Sequence, residues 1–188
     1  MTAKKRRVAN TVGSRKGKSR RLQNEVCRLV RAATGLEDAD ITPTPMGVNG
    51  IDLQLSTVAR SKFPFGVECK NKEQITIWSE MWQCITNADL ESLIPLLVFT
   101  RNYERCIYTA LPTDQFFDLI PDGGEIDAMV VEKSRINIWD LVSTLNELHE
   151  GVPVIHLVRN DERYTVLRFI DLLEMVTPRV GGGTSEVE

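Results

Sequence analysis

No apolar run in this sequence is long enough to cross a bilayer, and its basic N-terminus is not followed by the apolar stretch of a secretory signal. We therefore expect a cytoplasmic protein with no membrane partner. Metal-binding spacings of the zinc type are missing too. The four cysteines, Cys27, Cys69, Cys84 and Cys106, form no CxxC motif, and the two histidines, His149 and His156, have no matched partner. That excludes a zinc module and a disulfide-stapled scaffold. The thiols read as buried groups of a reducing compartment, and the imidazoles as structural.

Acidic residues are absent from the first 21 positions, which hold nine basic ones: Lys4, Lys5, Arg6, Arg7, Arg15, Lys16, Lys18, Arg20 and Arg21. The whole chain of 188 residues nevertheless has a net charge of −3, so the remainder carries 14 basic residues against 26 acidic ones. A basic leader containing Gly and Ser, attached to an acidic body, has the composition of an arm for a polyanion. Such an arm supplies salt-sensitive affinity for phosphates without reading sequence. These nine side chains are the candidate nucleic-acid contacts.

What is present is the material of one domain with an appendage, 42% apolar and so able to bury a core. The composition predicts a flexible arm over residues 1–18, a core over 19–120, an extension over 121–177 and a flexible tail over 178–188. Leu22, Val26, Leu29 and Ala33 recur at helical spacing, which predicts a helix from about Lys18 to Thr34, stopped by Gly35. "GIDLQLS" and "PFGVECK" alternate apolar with polar residues and read as strands. A second helix is expected from Ile75 to about Asn87, with Trp78, Met81, Trp82 and Ile85 on one side. A buried strand "IPLLVFT", a strand "CIYTAL" and a capped helix "TDQFFDLI" follow. The fold class expected is α/β, a mixed central sheet flanked by helices, with an additional C-terminal hairpin-and-helix unit.

That last unit reads as a degenerate repeat. "ITIW" at 75–78 returns as "INIW" at 136–139, and "PLLVFTRNYERCIYTAL" from Pro95 returns as "PVIHLVRNDERYTVLRF" from Pro153. Pro, Arg, Asn, Glu and Arg are kept at Pro95/Pro153, Arg101/Arg159, Asn102/Asn160, Glu104/Glu162 and Arg105/Arg163. Any two hairpins with a charged turn share some of this, so duplication and coincidence both stay open. In the second copy Glu132 and Lys133 are adjacent and would point to opposite faces of a strand. The second copy is therefore expected to be structural or to serve a partner.

The chemistry-bearing residues lie in the first copy. Asp52 falls on the polar face of one expected strand, and Glu68 and Lys70 on the polar face of the next. If those strands pair, the three side chains converge. Two carboxylates about 4 Å apart repel by roughly 1 kcal/mol in water and about 4 kcal/mol at a protein-surface dielectric. A divalent cation offsets that repulsion, and hard oxygen donors are what Mg²⁺ prefers. Such a cation acidifies water and stabilises charge on a phosphoryl oxygen, and Lys70 can orient the attacking water beside it. Glu25 flanks the apolar stripe of the first helix, close enough to join the site. The plainer alternatives are an ion pair of Glu25 with Arg21 or Arg28, and a surface salt bridge among the other three.

In these residues the sequence resembles the PD-(D/E)XK nucleases: Glu25 on a first helix, Asp52 after a Gly-rich turn, then "VECK" on a strand followed by a helix. Within them it is most similar to archaeal-type Holliday junction resolvases and related phage endonucleases, through "SRKGKSRRLQNEV", "GVNGIDL", "ECK", "PLLVF" and "RNYERCIYTAL" over residues 13–120. The resemblance implies a restriction-endonuclease-like core and metal-dependent cleavage of DNA. By it, Asp52 and Glu68 bind Mg²⁺ (Mn²⁺ substituting), with Glu25 assisting and the Cys69 carbonyl as a further ligand, and Lys70 is catalytic. It also implies four-way junctions as substrate, a homodimer with two centres, and a bacterial, archaeal or phage-infected host cell. Two departures stand out. Ile51 replaces the proline usual before the Asp, and only Thr42 and Thr44 stand where those resolvases carry basic and hydroxyl residues. Gln83 occupies a helix position where some members of the superfamily carry Gln or Tyr. Its spacing off the Trp78 stripe favours a solvated polar face.

Two other functions fit the same sequence. One is a different DNA nuclease of this superfamily, restriction-like or end-processing. The other is a DNA-binding or assembly module without catalysis, which the acidic body favours.

Overall fold

Alternating helix-forming and strand-forming segments assemble into three layers, a mixed sheet between two layers of helices. The computed structural model describes residues 12–120, 126–133, 136–146 and 152–177. The expected tail at 178–188, His149 and the arm residues Lys4, Lys5, Arg6 and Arg7 lie outside them.

Helix α1, Val12–Thr34, buries Leu22, Val26, Cys27 and Val30 against the sheet. It ends where Gly35 takes φ +66° and donates its N–H to the Arg31 carbonyl, a left-handed cap that glycine adopts without strain. The helix starts earlier than predicted, so residues 12–18 are helical and do not belong to a flexible arm. The periodicity hides this because the first turns carry basic and small residues with no apolar stripe.

After α1 come β1, Ile41–Pro43, and β2, Leu53–Leu55, which pair only with each other in a small antiparallel sheet. Then follow α2, Thr57–Lys62, capped by the Ser56 hydroxyl accepting from the Ala59 N–H, and β3, Phe65–Asn71. Helix α3, Ile77–Asp89, leads to β4, Ile94–Thr100, β5, Tyr108–Pro112, and α4, Thr113–Asp118. The second unit is β6, Ile126–Glu132; α5, Ile138–Val142; β7, Val152–Arg159; β8, Glu162–Arg168; and α6, Phe169–Val176.

The main sheet runs β3-β4-β5-β8-β7-β6, with the outer pairs β3/β4 and β6/β7 parallel and the three inner pairings antiparallel. Helices α1, α4 and α6 cover one face, over Leu96, Val98, Leu111, Val154 and Leu167. Helices α3 and α5 cover the other, over Leu97, Phe99, Tyr108, Ala110, Ile155, Leu157, Tyr164 and Val166. The α/β class and the extra hairpin-and-helix unit are thus as the sequence predicts. Among the described residues no helix is long and apolar enough to cross a membrane.

Besides the start of α1, three local expectations fail. Helix α4 has Pro112 at its N-cap and no side-chain cap, so the expected capped helix is uncapped. Trp82 is 68% exposed while Trp78 and Met81 are buried, because four-residue spacing carries Trp82 round to the rim of the buried stripe. Asp52 is not on a strand of the main sheet: β2 is three residues long and stays outside it, so the expected pairing of the Asp52 strand with β3 does not form as a ladder. Three of the cysteines, Cys27, Cys69 and Cys84, are buried as predicted, whereas Cys106 is only half-buried. All four are free, and burial pushes the thiols of Cys27, Cys69 and Cys84 up, so they stay protonated. His156 packs against Phe116 and Phe117, with Nδ1 2.9 Å from the Thr165 hydroxyl, a structural role.

Candidate active site

β3 is an edge strand, so one row of its backbone groups faces away from β4. The segment ahead of β2 closes that row. The Asp52 N–H donates to the Val67 carbonyl at 2.8 Å, and the Cys69 N–H donates to Asp52 Oδ2 at 2.7 Å. Two hydrogen bonds thus do what strand pairing was expected to do. In a ladder the N–H and C=O of one residue point to the same side, so the Cys69 carbonyl also lies on the Asp52 side. The other Asp52 oxygen, Oδ1, accepts from Gln23 Nε2 of α1 at 2.8 Å.

Glu68 and Lys70 leave β3 on the α3 face. Lys70 Nζ lies 2.7 Å from Glu68 Oε1 and 3.1 Å from Glu80 Oε2, and it donates to Gln83 Oε1 at 3.0 Å. Gln83 Nε2 donates to Glu68 Oε1 and Asn87 Nδ2 to Glu68 Oε2, both at 3.2 Å. Glu80, Gln83 and Asn87 recur at spacings of three and four, one polar stripe that α3 lays along the rim of β3. Gln83 is exposed to solvent, as its spacing suggested, yet its amide also reaches back to the strand. It bridges both functional side chains of the strand.

Electrostatics follow from this geometry. Burial, then the charge of Glu68, raises the Asp52 carboxyl to about 6, against the opposing pull of the Cys69 N–H, Lys70 and Gln23. Burial works against the Lys70 ammonium, but the hydrogen bond and charge of Glu68, then Glu80, outweigh it and raise its pKa. Burial likewise works against the Glu80 carboxylate, and Lys72 and Lys70 outweigh it, so Glu80 stays ionised.

The structure brings Asp52, Glu68, Lys70 and the Cys69 backbone together. It does not bring Glu25. That carboxylate pairs with Arg28 at 2.6 Å and is held below its usual range by that hydrogen bond, the plainer of the two readings of the sequence. The α1 residue that does reach the site is Gln23, only 8% exposed. The sequence carries a signal for it. Gln23, Cys27 and Val30 lie at i, i+4 and i+7, so a polar side chain sits in an apolar stripe and needs a buried partner.

The basic residues divide about this centre. Arg20, with Gln23, Thr44 and Asp52, lines a recess of about 250 Å³, and its guanidinium donates to the Thr44 carbonyl at 2.8 Å. Lys18 and Arg21 line a groove of about 850 Å³ together with Asn71, Thr100, Arg101 and Arg105, at the C-terminal ends of β3 and β4. Arg15 and Lys16 fall within α1.

Among the described residues no three or more His, Cys, Asp and Glu side chains gather as a metal cluster. The donor set is two carboxylates and, by strand geometry, one backbone carbonyl. That fits Mg²⁺, which takes one or two carboxylates and keeps several waters, and it does not fit a site closed by protein ligands alone. A desolvated Asp52 beside Glu68 is also a place short of positive charge, which a divalent cation would supply. No protein-family model, no curated protein and no solved structure matches the chain.

Proposed function

We propose that this protein is a Mg²⁺-dependent endonuclease that hydrolyses phosphodiester bonds of DNA, with branched DNA such as four-way junctions as its substrate and Mn²⁺ able to substitute. One observation carries the reading. The Lys70 ammonium touches Glu68 on the strand whose Cys69 N–H grips Asp52, so an ammonium and two carboxylates from separate segments share one rim. A cross-strand salt bridge alone would not need Asp52 buried at a cost to its ionisation.

Asp52, Glu68 and the Cys69 carbonyl would hold the cation, which when bound supplies a Lewis acid at the phosphoryl oxygen and acidifies water. Because its pKa is raised, Lys70 remains an ammonium at neutral pH. It is therefore a hydrogen-bond donor and a charge, not a general base. It orients the attacking water and stabilises the charge that grows on the phosphate as the new P–O bond forms and the ester P–O bond breaks. Gln83 and Asn87 fix the Glu68 carboxylate, and Glu80 keeps Lys70 from swinging into solvent. Lys18, Arg20 and Arg21, with the arm before them, neutralise backbone phosphates on either side.

The test is incubation of a labelled four-way junction and a linear duplex with Mg²⁺ and, separately, with EDTA. Cutting in Mg²⁺ alone is expected, faster on the junction. Lys70→Ala and Asp52→Asn should each lose about 100-fold or more in cutting rate while DNA binding stays within a few-fold. Mutants as active as the parent protein would remove the site. DNA binding with no product under any metal would leave a binding module.

A further inference from the structure

We infer that the chain is a fused pseudo-dimer with a single working centre: residues 126–176 occupy the place of a second subunit, so one molecule acts alone and cuts one DNA strand per encounter. The cutting rests on the nuclease reading above; the pseudo-dimer does not.

The sheet reads the same from either end: parallel, three antiparallel pairings, parallel. Its elements correspond in order at shrinking offsets. β3 and α3 begin at Phe65 and Ile77, β6 and α5 at Ile126 and Ile138, an offset of 61. β4 begins at Ile94 and β7 at Val152, an offset of 58, and the register agrees, since Phe65 pairs with Ile94 and Ile126 with Val152. β5 and α4 begin at Tyr108 and Thr113, the matching part of β8 at Tyr164 and α6 at Phe169, an offset of 56. At that offset Ala110 corresponds to Val166, and these two residues pair with each other at the centre of the sheet. A local two-fold axis therefore passes between them. A shared hairpin motif alone would not place one, so of the two readings of the sequence repeat the structure supports duplication.

The packing is exchanged across that axis. Arg101 stacks on Trp139 at 4.8 Å, and its counterpart Arg159 stacks on Trp78, the counterpart of Trp139, at 4.4 Å. Tyr108 lies 6.4 Å from Trp139, and Tyr164 lies 5.4 Å from Trp78. Each half thus supplies the arginine and tyrosine for the other half's tryptophan, as two subunits do across an isologous interface. The β5 edge, through which a lone unit would meet its copy, is already taken by β8.

The second half lacks the chemistry position by position. Glu68 corresponds to Met129, Lys70 to Val131 and Glu80 to Leu141, all of them apolar and packed against the core. Among the described residues nothing there answers to α1 or to the β1/β2 segment, so Gln23 and Asp52 have no counterparts. The sequence alone led to a homodimer with two centres. The duplication puts the second unit inside the chain and leaves it without a centre. Such a molecule nicks one strand of a duplex or junction, whereas resolving a junction takes two cuts.

Two measurements with the full chain test this. In sedimentation equilibrium at micromolar concentration, with and without a junction oligonucleotide, one 21.2 kDa chain per particle is expected. Two chains would overturn the proposal, whether or not the protein cuts. On supercoiled plasmid in Mg²⁺, nicked circles should make up most of the product before any linear form appears. Linear product from the first time point, at a rate matching the disappearance of supercoiled DNA, would overturn the single-strand cut. A monomer that cuts nothing would discard the nuclease reading and leave the pseudo-dimer standing.

Discussion

Asp52 carries the clearest conflict between stability and chemistry. Its carboxyl sits at about 6 in the folded chain against an ordinary 3.8. The folded state therefore holds a proton more tightly than the unfolded one. This contribution to stability is fully present below about pH 4, is lost as pH rises to about 6, and leaves a standing penalty above that. Asp52→Asn removes the penalty and keeps the shape, with Gln23 turning its amide to suit. In metal-free protein at pH 7.5 we expect the variant to melt about 2–6 °C higher, a gain on the order of 1–2 kcal/mol for a chain of this size, and to lose that advantage near pH 4. Thermal melts by circular dichroism at the two pH values check it; an unchanged or lower melting temperature at pH 7.5 would mean the charge is not disfavoured. At this scale the sequence was informative about charged groups on alternating strand positions, where period two fixes the face. It was uninformative about the helix residues that meet them. A wheel ranks Glu25 and Gln23 by angle to the stripe, and only the depth of packing against β3 decides that Gln23 enters.

Helix α3 owes its distance from the sheet to one small residue. A Cβ on Gly66 would come within 2.6 Å of the Ala88 side chain and 2.9 Å of its Cα, closer than those atoms allow. Gly66→Ala must push α3 off β3 and carry Gln83 and Asn87 away from Glu68. The expected cost is about 1–3 kcal/mol in stability, read from the denaturant midpoint. A drop of tenfold or more in cutting should accompany it, since a shift of about 1 Å in supporting groups is enough to spoil an aligned site. Full activity in a destabilised variant would show that the α3 stripe does not hold the site. Helices and strands with strong periodicity were legible here, among them α3, β3 and β4. The β1/β2 excursion was not, because three-residue strands leave no period to read and the Asp52 link is made by hydrogen bonds rather than a ladder.

For the whole molecule, the charge division remains the main guide to DNA. With α1 beginning at Val12, removal of residues 1–11 takes away Lys4, Lys5, Arg6 and Arg7 and spares the helix. Junction affinity should fall, and the log–log salt slope should flatten by up to about 0.9 for each phosphate that is no longer neutralised, followed by fluorescence anisotropy at several salt concentrations. A slope that stays the same would take the arm out of the interface. The repeat was visible in the sequence as matched Pro, Arg, Asn and Glu, but the mirrored strand order was not, since long-range pairing sets it. The exchanged stacking has one more consequence. With Trp78 and Trp139 each roofed by side chains from across the axis, neither half has a finished interior of its own. The second half is thereby an internal strut: erode it, and the half that holds Asp52, Glu68 and Lys70 loses its footing.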